Sequence, residues 1–135
     1  MTKIRVVIAD DHPIFSRGLR QVLSSDPTFE IVAEAQDGET ALQQIEEQCP
    51  DVAVLDIDMP KKDGFDVMRA MEERKLSSAV VFLTMHKDEE LFNGAMNLGA
   101  RGYVLKESAF TELVDSIKAV VAGRLLLVHC YQLMF

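Results

Sequence analysis

The sequence predicts an α/β fold, a single doubly wound parallel sheet of five strands with five helices. Five short apolar runs, each long enough for one buried strand, alternate with longer segments whose apolar residues recur at helical period. The chain has 135 residues and 48% of them are apolar, which fits one domain around one filled core.

The first run, Ile4 to Ala9, drives straight into two adjacent acids, Asp10 and Asp11. Pro13 suits a first helical turn, and Ile14, Gly18, Leu19, Val22 and Leu23 then share one helical face. The second run, Glu30 to Ala35, leads to a helix that begins after Asp37 and Gly38 and turns Ala41, Leu42 and Ile45 inward. It stops before Cys49 and Pro50, because a residue preceding proline avoids the helical region. The third run, Val52 to Leu55, ends in Asp56, and a third helix follows Gly64 with Val67, Met68 and Met71 inward. The fourth, Val80 to Leu83, ends in Thr84, and its helix runs from Asp88 to Leu98 and closes at Gly99, a candidate left-handed residue. That helix has the least continuous apolar pattern of the five.

The fifth run, Gly102 to Leu105, ends in Lys106 and precedes the clearest helix, in which Phe110, Leu113, Val114, Ile117, Val120 and Val121 recur and Gly123 closes. The remaining stretch, RLLLVHCYQLMF, is a mostly apolar tail that fits neither a flexible linker nor a sixth buried element. The domain is therefore expected over residues 1–124, with 125–135 an atypical C-terminal tail.

A net charge of -8 argues against this chain gripping a nucleic-acid backbone or an anionic membrane by itself. The two cysteines, Cys49 and Cys130, match no metal-ligand spacing and no disulfide framework, which suits a reducing cytoplasm. No secretory leader pattern occurs, and no apolar run approaches the ~20 residues that span a bilayer. The expectation is a soluble cytoplasmic protein with no membrane association.

The chemistry lies just past the strands. In an open parallel sheet the carboxyl ends of the strands share one edge, and ligands bind in the crevice outside it. Asp10, Asp11, Asp56, Thr84 and Lys106 all fall on that rim. Two like charges ~4 Å apart repel by roughly 4 kcal/mol at an effective dielectric near 20, so the acid pair calls for a counter-ion or water. Clustered carboxylates suit Mg²⁺, a hard ion that keeps water or phosphate oxygens in its remaining positions. With Lys106 it would offset the charge of an incoming phosphoryl group, and an aspartate can act as nucleophile to give an aspartyl phosphate. A single acid after a strand is more often a turn or cap residue, and Asp10 could cap the first helix through Asp11-His12-Pro13. Coincidence explains each position alone but explains five on one rim poorly.

From residue 3 to about 124 the sequence resembles the receiver domains of bacterial two-component response regulators, within them the LuxR/NarL-type branch. The resemblance rests on IRVVIADDHPIFSRGLRQVL, PDVAVLDIDMPKKDG, VVFLT, GARGYVLK and ELVDSIKAVVAGRLLL. It implies a flavodoxin-like, CheY-like receiver fold in which Asp56 is the phosphoacceptor, charged by the phosphohistidine of a sensor histidine kinase. Asp10 and Asp11 then organise Mg²⁺ (or Mn²⁺), with Asp11, Asp56 and the backbone carbonyl of Asp58 as direct ligands. Thr84 bonds the phosphoryl oxygen, Lys106 pairs with it, and Tyr103 is the switch aromatic that turns inward when Thr84 shifts, remodelling the face of the fourth helix, fifth strand and fifth helix. A phosphoryl group adds roughly two negative charges, which would draw Thr84 and Lys106 inward. The resemblance implies a signalling phosphoacceptor, not an enzyme, with only self-phosphorylation and slow autodephosphorylation. Transcription would be controlled through a DNA-binding helix-turn-helix output domain that this chain does not contain, and DNA would be contacted only there.

His12 is expected in the loop and first-helix cap, and His86 two residues past Thr84, where the family tunes phosphoryl lifetime. Met85 replaces a usually small residue and is expected to narrow access to the site, while the Asp58 side chain is expected to point away from the metal. One rival is a haloacid-dehalogenase-type phosphatase with Asp56-Ile57-Asp58 as its DxD, but that motif normally follows the first strand and a later acidic pair is missing here. Another is a receiver-like interaction module that never takes phosphate, which the complete acid, hydroxyl and lysine set argues against. A P-loop fails outright. Homodimerisation through the first and fifth helices, or the fourth and fifth, stays open, and the sequence does not name the kinase, the signal or the target genes.

Overall fold

The computed structural model describes residues 3–123 and, for the backbone alone, residues 126–127. Along the chain run β1 (Ile4–Ala9), α1 (Pro13–Ser24), β2 (Phe29–Ala35), α2 (Gly38–Gln48), β3 (Val52–Asp56), α3 (Gly64–Glu73), β4 (Ala79–Thr84), α4 (Glu89–Asn97), β5 (Gly102–Leu105), a 3-10 turn (Lys106–Ser108), α5 (Ala109–Val121) and β6 (Leu126–Leu127). The sheet order is β2-β1-β3-β4-β5-β6, and every neighbouring pair is parallel. The chain leaves β1 towards β2 and then returns past β1 to β3. Right-handed crossovers therefore put α1 on one face and α2 and α3 on the other, with α1 packed on α5 and α2 on α3. The reversal at β1 makes a switch point beside β1 and β3, the place where such sheets bind ligands.

Local sequence sets the ends of the helices. Pro13 occupies the first turn of α1, where its missing N–H costs nothing. Asp37 caps α2 by accepting from the Thr40 N–H at 2.8 Å, and Asp63 and Asp66 form a reciprocal capping box on α3. Asp88 accepts from the Glu90 and Leu91 N–H groups at the start of α4. Gly99 follows α4 at φ +96°, the left-handed conformation that glycine adopts without strain.

The five-stranded, five-helix plan is as the sequence predicts, with strand bounds moved by at most one residue and the two-residue β6 added beside β5. Apart from the Leu126–Leu127 backbone, the expected tail over 125–135 lies outside the described residues. The inward face of α1 is a correction. Ile14 is 86% exposed, and Phe15 points to the core in its place. Buried Leu19 and Leu23 define the face at spacing four, and counting back four from Leu19 reaches Phe15, whereas Ile14 sits a further 100° round the helix. Of the apolar residues that recur along α5, Phe110 and Val121 are 49% and 46% exposed, because α5 buries the face carried by Leu113, Ile117 and Val120.

Candidate functional site

Four strand ends bring the rim residues together. β1 delivers Asp10 and Asp11, β3 delivers Asp56, β4 delivers Thr84 and β5 delivers Lys106; of these, Asp10, Asp56, Thr84 and Lys106 are buried. Register makes this possible, since Asp56 pairs with Leu83 and Thr84 with Leu105 along the same edge. Lys106 is the hub. Its Nζ lies 2.8 Å from Asp10 Oδ2 and donates to Asp56 Oδ2 at 2.9 Å. Asp56 is oriented on its other oxygen by the Asp58 N–H, which donates to Oδ1 at 3.1 Å. Asp10 also serves the local turn, because its Oδ1 accepts from the His12 N–H at 2.7 Å. The turn and site readings of Asp10 thus hold together.

Burial pushes the Asp56 carboxyl up to about 6, with the Asp10 charge adding to the rise and the Lys106 hydrogen bond and charge opposing it. Burial works against the charge of Lys106, but its hydrogen bonds to Asp10 and Asp56 outweigh that and hold its pKa above the ordinary value. At neutral pH Asp56 is therefore mostly ionised.

Thr84 is buried at the end of β4, and its Oγ1 accepts from the His86 N–H at 3.0 Å. The ring of His86 meets Asp58 Oδ2 at 2.9 Å, joining the loop after β4 to the loop after β3. The carboxylate of Asp58 is thus engaged with His86. Tyr103 is fully buried, with its ring edge-on to Phe92 at 5.3 Å, and its hydroxyl donates to the His86 carbonyl at 3.2 Å. The Tyr103 side chain is therefore inward in this structure. Met85 stands 71% exposed and builds no buried wall, so the narrowing expected of it is not seen in the packing.

His12 is where sequence reasoning falls short. It occupies the cap position of α1, as expected, but makes no side-chain cap bond. Its Nδ1 lies 3.1 Å from Asp10 Oδ1, 3.1 Å from Asp11 Oδ1 and 3.0 Å from Lys106 Nζ. A ring nitrogen so placed donates to a carboxylate or accepts from the ammonium according to its tautomer. The signal available in the sequence was only its place directly after the acid pair.

The donor set suits a cation. Asp10, Asp11, His12 and Asp56 each offer one ligand atom, and these atoms lie within 4.8 Å of one another. Asp11 Oδ1 is buried and receives no hydrogen bond, with His12 at ion-pair distance, while Asp10 Oδ2 meets Lys106 Nζ at 2.8 Å. A buried carboxylate oxygen without a hydrogen bond is what a hard divalent ion satisfies. Among the described residues no helix is long and apolar enough to cross a membrane.

Residues 6–118 match the family model of the response regulator receiver domain. The chain is 39% identical over 121 residues to the transcriptional regulatory protein DegU of Brevibacillus brevis, covering 90% of this chain and 51% of that protein. The signal receiver domain of NarL from Mycobacterium tuberculosis superposes with a TM-score of 0.88 at 38% identity, over 92% of this chain and all of that one. A LuxR-family two-component response regulator from Aurantimonas sp. SI85-9A1 gives a TM-score of 0.91 at 32% identity, over 97% of this chain and 94% of its own. The chain spans about half the length of the curated relatives it matches. With the acid, hydroxyl and lysine set assembled on the carboxyl edge of a 2-1-3-4-5 sheet, the chain belongs to the response regulator receiver domain family, on its LuxR/NarL side.

Proposed function

We propose that this chain is a phosphoacceptor: a sensor histidine kinase in the cytoplasm transfers a phosphoryl group to Asp56, and the altered surface controls transcription through a DNA-binding output domain outside this chain. The observation that carries the reading is the buried bridge of Lys106 between Asp10 and Asp56, beside the buried Asp11 Oδ1, which receives no hydrogen bond. Asp11, Asp56 and the Asp58 carbonyl, with Asp10 behind them, would hold Mg²⁺ (or Mn²⁺). When bound, the ion supplies charge neutralisation to the phosphoryl oxygens.

In the transfer, an Asp56 carboxylate oxygen forms the new bond to phosphorus while the bond from phosphorus to the kinase imidazole breaks, and the electron pair leaves with the imidazole. Lys106 leaves one carboxylate contact for the phosphoryl oxygens, and the Thr84 hydroxyl donates to them. The movement of Thr84 carries the His86 backbone with it through the 3.0 Å bond between them, and His86 in turn holds the Tyr103 hydroxyl. Tyr103 thereby reports the state of Asp56 to the α4, β5 and α5 face. The phosphatase alternative would need Asp58 as general acid, and its carboxylate engages His86 at 2.9 Å instead.

Incubation with acetyl phosphate and Mg²⁺, followed by intact mass, tests the proposal. One phosphoryl adduct that Asp56→Asn abolishes supports it. The absence of an adduct points to an interaction module that takes no phosphate, and sustained release of phosphate from simple esters points to the phosphatase.

A further inference from the structure

We propose that Phe15 is a positioning residue for Lys106, giving the ammonium an aromatic face that steadies it between Asp10 and Asp56. This inference rests on the phosphoacceptor reading above. Lys106 Nζ lies 4.8 Å from the centroid of the Phe15 ring, inside the ~6 Å at which the negative face of a ring attracts a cation. The same nitrogen is held 2.8 Å from Asp10 Oδ2 and 2.9 Å from Asp56 Oδ2. A lysine is a point charge on a flexible four-carbon stem, and the two carboxylates together with His12 Nδ1, 3.0 Å from Nζ, bound it on the polar side only. The ring supplies a further wall, and one of useful chemistry. Its attraction is weakly directional, so it steadies the ammonium without tying down the proton that must turn to a phosphoryl oxygen.

Phe15 is itself held by a built stack. Its ring lies on that of Phe110 with centroids 5.4 Å apart and planes 23° from parallel. The seat for Phe110 exists because residue 18 has no side chain: a Cβ on Gly18 would come within 2.6 Å of Phe110 Cζ. Gly18, Phe15 and Phe110 therefore form a support running from the surface of α1 and α5 to the site lysine. None of them offers a polar side-chain atom to the site, so none competes for the phosphoryl group or for the metal.

Two substitutions in the full chain separate an aromatic face from mere bulk. Phe15→Leu keeps an apolar side chain and removes the face, whereas Phe15→Tyr keeps it. Phosphorylation by acetyl phosphate with Mg²⁺ is expected to slow about five-fold in Phe15→Leu and to stay at the wild-type rate in Phe15→Tyr. In NMR spectra, the Lys106 Cε protons are expected upfield of ordinary lysine in the wild type and in Phe15→Tyr, and to return towards the ordinary position in Phe15→Leu. Equal rates in wild type and Phe15→Leu, equal slowing in both variants, or Lys106 shifts that ignore the substitution would each overturn the proposal. Where Phe15→Leu does not fold, Phe15→Met fills the space without an aromatic face and carries the same test: a slower rate with the Lys106 resonances returned towards the ordinary position supports the proposal, and unchanged ones overturn it. Should the wild type take no phosphoryl group, the phosphoacceptor reading fails, while the Lys106 shifts still decide whether Phe15 holds the ammonium.

Discussion

Asp56 is a buried carboxylate with one cation and one like charge beside it, and this makes folding stability depend on pH in a way that Asp56→Asn removes. Burial moves its pKa from 3.8 to about 6 in the folded chain. In the window between about pH 4 and pH 6 the folded state keeps the Asp56 proton that the unfolded chain has already released. More protons are bound by the folded state there, so stability falls as pH rises through the window. The penalty is absent below about pH 4 and complete above about pH 6. A shift of about two units corresponds to about 3 kcal/mol, an upper figure because Asp56 titrates in contact with Asp10 and Lys106. Urea unfolding of the wild type and Asp56→Asn, in EDTA at steps from pH 4 to pH 7, measures it. The wild type is expected to lose up to about 3 kcal/mol relative to the variant across the window. Two profiles that run parallel, or a wild type that gains on the variant as pH rises, would refute the reasoning.

Lys106→Met removes the cation that lies between two buried acids, and a melt at pH 7 is expected to show a loss of roughly 3–5 kcal/mol, part of which added Mg²⁺ restores. Gly64→Ala puts a Cβ within 2.7 Å of the Asp56 carbonyl oxygen, so a loss of about 1–3 kcal/mol in urea melts and slower phosphorylation are expected together. On α1, Leu19→Ala is expected to cost about 2–5 kcal/mol because Leu19 is fully buried, while Ile14→Ser stays within about 0.5 kcal/mol because Ile14 faces solvent; equal effects would contradict the face assigned to that helix.

The strands were legible because buried parallel strands are continuous apolar runs, and Val52 to Asp56 is buried at every position. Helix ends were legible where a cap residue announces them, as Asp37, Asp88 and Gly99 do. The rim set was legible for a topological reason: once the strands are parallel, the residues after their carboxyl ends share one edge, so chain order alone gathers Asp10, Asp56, Thr84 and Lys106. Choices of rotamer lay beyond the pattern. Ile14 and Phe15 are both apolar, and spacing back from the buried Leu19 picks the second, but its stacking on Phe110 comes from the tertiary fold. The ring of His12 turns to the acids, Asp58 turns to His86, and Tyr103 lies fully inward, all through contacts between residues far apart in sequence or free to rotate. The two-residue β6 is too short to show a period at all.

The claim on which all else depends is that the phosphoryl group goes to Asp56. Treating the phosphorylated chain with borohydride reduces an aspartyl phosphate to homoserine, and peptide mass spectrometry then locates it. Homoserine at position 56 and at no other aspartate is the predicted result. Homoserine at position 10 or 11, or a phosphoryl group found on His12 or His86 in its place, would contradict the account.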